Sequence, residues 1–426
     1  MIVDVRETYI VETNTPIDID IHEQDDVHRH PKQDEHPRVA NILRSQVFQL
    51  LHLRRADMRR VSRKPYCHQK GASITNSSSR PSFLALDLLR AGAALVVMMA
   101  HLRGYSLPAY GALPASDRGL ITALFYTVTR PGHPAVMVFF VLSGFLVGGQ
   151  VIRHVRDGRF DLQRYAVDRA TRIFLPLVPA LLLTALVAIS VGSAFPIQDI
   201  VAHIGGLNGV VVPTVRVNAP LWSLAYEIWF YVLMGCVGYA FSRRSLPAWS
   251  FVGLGATALV FSVLEAQYLL FWLLGALVAA YPPRSLWVAC TGLIAFIGGI
   301  LVSQMISDGG PWAGYATGPA DAIMCAGLAA LLPALCHKRV NRILEPAAWP
   351  IRSLSAMSYS LYIFHYPVLV YLTANYMPAT PGLGGGGIGS LVIKGAVCFV
   401  VCLIFYLLFE RRTVAFRNRI NGTVSA

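Results

Sequence analysis

Charge is scarce in this chain of 426 residues: Asp, Glu, Lys and Arg make up 14% of it, against 55% hydrophobic residues. That balance excludes an ordinary water-soluble enzyme and points to a chain with many segments inside a bilayer. Acidic residues are the scarcer sign, 23 against 36 Lys and Arg, for a net charge of +13. In a soluble protein such a surplus would suggest nucleic acid as a partner. Here the cations fall in short loops between apolar runs, so the membrane accounts for them and no nucleic acid is expected. Cysteine is sparse and odd in number, with 7 in all, and only Cys67 lies in a polar segment. No pair has metal-ligand spacing with a histidine nearby, so neither a disulfide framework nor a metal centre is expected. A run of signal-peptide type is lacking before the first long apolar segment, and no internal repeat is visible.

What is present divides in two. Residues 1–82 are polar, acidic in the first half and strongly basic in the second (Arg54, Arg55, Arg59, Arg60, Arg63, Lys64). They are expected to form a disordered cytoplasmic tail, in which Val39 to Leu53 has the pattern of an amphipathic surface helix. His22, His28, His30 and His36 are scattered in this solvated stretch and are read as binding no metal. From Leu84 onward ten apolar spans follow, roughly 84–103, 133–152, 173–192, 222–241, 249–263, 266–281, 285–303, 320–336, 358–377 and 388–409. The expected fold is all-α: a polytopic membrane bundle of about ten helices over residues 83–412, with a short polar tail at 413–426. Several spans are short or broken by Gly and Pro, which suits helices packed against one another.

Orientation follows from the loops. Arg153, Arg156, Arg159, Arg164, Arg169 and Arg172 share one, Arg243 and Arg244 another, and Lys338, Arg339, Arg342 and Arg352 a third. The intervening loops hold few cations, and those at 304–319 and 378–387 hold none. The positive-inside rule then places both termini in the cytoplasm, with the bundle in an inner or plasma membrane.

Against this apolar background five elements stand out. In the first span Arg90 and His101 are eleven steps apart, which at 100° per residue returns nearly to the same helix face, and Asp87 lies one turn before Arg90. Ionisable residues inside a span are expensive and by default face a protein-lined cavity; alternatively Asp87 and Arg90 snorkel to the headgroups. The second element is Phe-Phe-Val-Leu-Ser-Gly-Phe at 139–145, where Ser143-Gly144 also fits a plain helix contact. The third is Arg169-Ala-Thr-Arg172, two guanidinium groups on one helix side that suit a polyphosphate clamp or simple anchoring. The fourth is Trp222-Ser-Leu-Ala-Tyr-Glu227, opened by Pro220, with Ser223, Glu227 and Tyr231 on one face. The fifth is Ser358-Tyr-Ser-Leu-Tyr362-Ile-Phe-His365, whose Ser358, Tyr362 and His365 form a polar stripe.

In this order, over about residues 82–412, these elements resemble the acyltransferase 3 family of integral-membrane acyltransferases. The resemblance implies transfer of an acyl group, usually acetyl, from cytosolic acyl-CoA to a hydroxyl on a glycan, a lipid-linked acceptor or another envelope or secreted molecule. By position, His101 and Arg90 match the family's essential first-span pair, and Arg169 and Arg172 match its arginines on the CoA side. Two departures stand out. Asp87-Leu-Leu-Arg90-Ala replaces the family's usual Asp-Gly-Leu-Arg-Gly, and no SGNH-type domain follows Glu410-Arg-Arg.

The predicted topology adds a division of labour. Arg90 falls on the inner third and His101 near the outer end, about 16 Å apart. Arg169, Arg172 and the Ser358/Tyr362/His365 stripe fall on the inner side, and Glu227 near the outer end. The arginines are thus expected to hold acyl-CoA (acetyl-CoA), which serves as donor substrate with no metal. His101 is expected to deprotonate the acceptor, Glu227 to orient it or bind the sugar, and Ser143 or Tyr362 to donate to an oxyanion. Direct transfer and an acyl-enzyme route both remain open. A proton-coupled transporter would bury similar residues and is the alternative reading.

Overall fold

The computed structural model describes residues 83–243, 247–306, 316–380 and 382–424. The expectations for the tail at 1–82, its amphipathic segment and its histidines lie outside these residues. Among the described residues there is no strand, only an isolated bridge between Asn208 and Val212.

The chain enters as α1 (Leu84–Ser106), then α2 (Leu120–Thr129), α3 (Gly132–Ser143), a five-residue π turn at Gly144–Gly148, and α4 (Gly149–Arg156). Next come α5 (Leu162–Ser190), α6 (Ile197–Ile204), α7 (Trp222–Arg243), α8 (Ala248–Phe261), α9 (Ala266–Ala280) and α10 (Leu286–Ile306). The rest is α11 (Gly318–Leu335), α12 (Lys338–Leu344), α13 (Ala348–Ala356), α14 (Ser358–Asn375), α15 (Gly385–Leu408) and α16 (Thr413–Val424).

Each of the ten predicted spans falls on helix, but among the described residues only seven helical stretches are long and apolar enough to cross a membrane. Helices α8 and α9 have 14 and 15 residues, about 21–23 Å of rise, which is short of a 30 Å hydrocarbon core. Helix α14 has 18 residues but carries the Ser/Tyr/His stripe and Pro367, which lower its hydropathy. Residues 120–129 fall outside the ten predicted spans. The structure makes them a helix whose Leu120, Ile121 and Val128 point outward, 76%, 84% and 68% exposed. The stretch expected as a second polar tail is also ordered: α16 lies on α5, with Arg417 Nε 3.4 Å from Asp168 Oδ1.

Local chemistry fixes the helix ends nearest the site. Asp161 caps α5 by accepting from the Arg164 N–H at 3.1 Å, and Gly192, at φ +66°, closes its far end in a left-handed turn. At the end of α1, where carbonyls lack helical donors, the buried Lys394 of α15 donates to the Tyr105 carbonyl at 2.8 Å.

One close crossing organises the centre. A methyl group added at Gly144 would lie 1.8 Å from the Trp272 carbonyl oxygen, and one at Gly275 would lie 2.1 Å from that of Val141. Only glycine at both positions lets the π turn and α9 touch backbone to backbone, the small-residue contact that membrane helices favour. The crossing seats the buried Trp272 against Phe230 and brings Ser143 to the edge of an open space.

Candidate functional site

That space is a cavity of about 540 Å³ among α1, α3, α4, α5, α7 and α14. Its mouth is marked by the exposed Phe83, Arg153 and Arg172, and its inner end by the buried Ser223 and Tyr362. Four arginines line it: Arg90 from α1, Arg153 from α4, and Arg169 and Arg172 from α5. Among the described residues none of the four has a carboxylate within ion-pair distance, although Asp87 and Glu227 act on Arg90 from further off. Asp87 accepts from the Ser355 hydroxyl at 3.0 Å, Asp168 is taken by Arg417, and Glu410 accepts from Ser360. Arg169 stacks its guanidinium 5.5 Å from the Tyr231 ring centre, and its buried Nε has no hydrogen-bond partner. Four guanidinium groups lining a cavity with one carboxylate, Glu227, have the chemistry to hold a polyanion. Sequence reading found Arg90, Arg169 and Arg172. It treated Arg153 only as a topology anchor and missed Gln150, His154 and Tyr359 as lining residues.

On the cavity wall Glu227 accepts a short hydrogen bond from the Tyr231 hydroxyl one turn below it on α7. Ser143 lies 3.5 Å from Glu227 Oε1 and 3.4 Å from the Tyr231 oxygen, and accepts from the Trp272 indole N–H at 3.2 Å. Trp272 occupies a lone pair of Ser143, while the serine proton is held only by two long contacts and remains the freer one. This corrects the expectation for Glu227, which belongs to the arginine cavity and not to His101. The rotation of α7 turns its Ser223/Glu227/Tyr231 face onto Ser143. The same contacts give Ser143 a neighbouring carboxylate that its position in the sequence did not reveal.

Tyr362 and Ser223 meet at 2.6 Å, and both hydroxyls reach the Pro220 carbonyl, at 3.0 and 3.3 Å. Two protons thus serve one carbonyl and one inter-hydroxyl bond. Neither is spare for an oxyanion, so of the two expected donors only Ser143 keeps that capacity.

Three residues beyond Tyr362, about 4.5 Å further along α14, stands His365. Its Nδ1 is 2.6 Å from the Leu361 carbonyl oxygen, and its Nε2 is 2.9 Å from His101 Nδ1. A carbonyl can only accept, so His365 carries its proton on Nδ1 and presents a lone pair at Nε2. His101 must then donate from Nδ1, which leaves its own Nε2 as a bare lone pair. His365 is fully buried behind, His101 is part-exposed in front, and Tyr366 packs edge-on to both rings. The orienting group expected on His101 is therefore His365. This residue, expected at the opposite end of the bundle from His101, lies beside it. The two histidines do not line the arginine cavity. Among the described residues no group of three His, Cys, Asp or Glu side chains is placed to hold a metal ion.

These features coincide with a family match. The acyltransferase domain model of the acyltransferase 3 family matches residues 83–407, so the chain belongs to that family of acyltransferases. No curated protein matches the chain. No solved structure matches it.

Proposed function

We propose that this protein transfers an acyl group, acetyl by preference, from cytosolic acyl-CoA to a hydroxyl of a glycan or lipid-linked envelope molecule. It would do so as a multi-pass protein of an inner or plasma membrane, in ten spans with both termini in the cytoplasm. The observation that carries the reading is the cluster of Arg90, Arg153, Arg169 and Arg172 around one cavity, with no carboxylate at ion-pair distance among the described residues. Such a cluster suits the phosphates of CoA, and positive-inside loops support a mouth that opens to the cytoplasm.

The histidine pair supplies the base. The acceptor hydroxyl loses its proton to His101 Nε2 while its oxygen attacks the thioester carbonyl; the C–S bond then breaks, and the thiolate leaves with that proton. As His101 becomes cationic, its Nδ1–H keeps its bond to His365. His365 passes the polarisation to the Leu361 carbonyl, so charge forms next to groups already oriented to receive it. Ser143 is the cavity-wall hydroxyl whose proton is the freest to donate.

Purified protein in nanodiscs, given acyl-labelled CoA and envelope glycan, should move label to the glycan. Absence of both thioester cleavage and transfer over a panel of acyl-CoAs would defeat the proposal.

A further inference from the structure

Proline interrupts α14 two residues after His365. Pro367 has no N–H, so the carbonyl of Ile363, four residues earlier, is deprived of its helical donor. A buried carbonyl in that position needs a partner. It finds one on another segment, where Asn218 Nδ2 donates to the Ile363 oxygen at 3.0 Å.

Asn218 is fully buried in the short turn before α7, and its φ and ψ of −146° and 58° break that turn. Its Nδ2 also donates to Thr184 Oγ1 of α5 at 3.0 Å. Thr184 gives its own proton to the Ala180 carbonyl at 2.7 Å, so it can only accept from Asn218. Both neighbours being acceptors, the amide nitrogen must face them, and the side-chain orientation is fixed. Two residues on, the Pro220 carbonyl takes the Tyr362 hydroxyl at 3.0 Å. The 218–220 segment thus grips α14 at Tyr362 and Ile363, in the turn that leads into His365.

We infer that Asn218 is a positioning residue: it supplies the donor that Pro367 withholds from Ile363 and thereby sets His365 against His101. This rests on the reading of His101 and His365 as the proton-transfer pair. Thr184 contributes a tether on the other side, outside that relationship.

The test compares full-length variants in nanodiscs. Asn218→Ala and Asn218→Asp should each lower kcat on the order of tenfold to a hundredfold, as small misplacements of a base do, and shift the pH–rate profile. The KM for acyl-CoA should stay within about twofold, because the arginine cavity is untouched. Adding Pro367→Ala to Asn218→Ala returns an N–H to Ile363 and should recover most of the lost kcat. Thr184→Val keeps the Asn218–Ile363 bond and should keep the native profile even if it lowers the melting temperature. Three results would each overturn the inference: native kcat in Asn218→Ala, a deeper loss on adding Pro367→Ala, or the same profile shift from Thr184→Val. His101→Ala is assayed in parallel. Retained activity there overturns the proton-transfer reading itself, whereas dependence on His101 with indifference to Asn218 overturns only the positioning role.

Discussion

His101 and His365, 264 residues apart in the chain, share one hydrogen bond of 2.9 Å that dictates the tautomer of both rings. The buried ring takes its proton assignment from the Leu361 carbonyl, and the front ring takes its own from the buried one. A single backbone acceptor therefore decides which nitrogen of His101 keeps its lone pair.

Replacing either ring should separate the two roles. His101→Gln cannot accept the proton and should lose on the order of 10²–10⁴-fold in kcat, as His101→Ala does, with acyl-CoA binding retained. His365→Ala leaves a base of uncertain tautomer and should lose less, about tenfold to a hundredfold. Steady-state kinetics on both substrates check this. Substantial turnover by His101→Gln would make that residue a binding group and move the search for the base to Glu227.

The arginine cavity makes a donor-side prediction. Arg169→Ala with Arg172→Ala should raise the KM for acyl-CoA on the order of a hundredfold, since hydrogen bonds to charged groups contribute about 1.5–3 kcal/mol each. Lysine should restore part of this, because it keeps the charge but lacks the guanidinium fork. The acceptor KM should hardly change. Donor kinetics indistinguishable from native would reduce both residues to membrane anchors.

Gly144→Ala tests the crossing that seats Ser143. The added methyl would meet the Trp272 backbone oxygen at 1.8 Å, and a backbone atom cannot rotate away. The helices must part, at a cost of about 1–3 kcal/mol or more, and the Trp272–Ser143 bond should be lost with them. A melting curve in detergent gives the first effect, and tryptophan fluorescence follows the second. An unchanged melting temperature would mean that the two backbones are less closely apposed.

Acid should weaken the segment around α6 through His203. That ring is buried, donates from Nδ1 to the Asp199 carbonyl at 2.7 Å and accepts from the Val215 N–H at 3.2 Å. Only a neutral imidazole can do both, and burial holds His203 below the ordinary histidine range. In the unfolded chain it takes a proton near pH 6.5, whereas in the folded chain it does so only at lower pH. Its stabilising contribution is therefore present above about pH 6.5 and is lost as pH falls below that value towards the folded pKa. The melting temperature of the native protein should drop more between pH 7.5 and 5.5 than that of His203→Gln. Parallel decreases in the two proteins would assign the acid sensitivity to other groups.

Much of the bundle was legible because long apolar runs and their charged boundaries are properties of local sequence. Arg90, Arg169 and Arg172 were found for the same reason: a cation is conspicuous inside or beside a span. The partnerships were harder, because they depend on how each helix is rotated about its axis. Glu227 and His101 both looked like outer residues by counting from their helix ends. The turn of α7 toward Ser143, however, is set by packing around Phe230 and Trp272, which no spacing within α7 reports. Asn218 went unnoticed for a related reason. Its significance lies in a donor missing from α14, and the two residues stand 145 positions from one another.

Four like charges around one cavity also mean that the empty protein works against itself. The guanidinium groups raise one another's free energy, and Asp87 and Glu227 offset only part of it. A bound polyanion would cancel that repulsion and stabilise the fold, by about 2.7 kcal/mol at a hundred times its dissociation constant. Heat resistance would then track donor supply, so a cell poor in acyl-CoA would hold this protein in its least durable form.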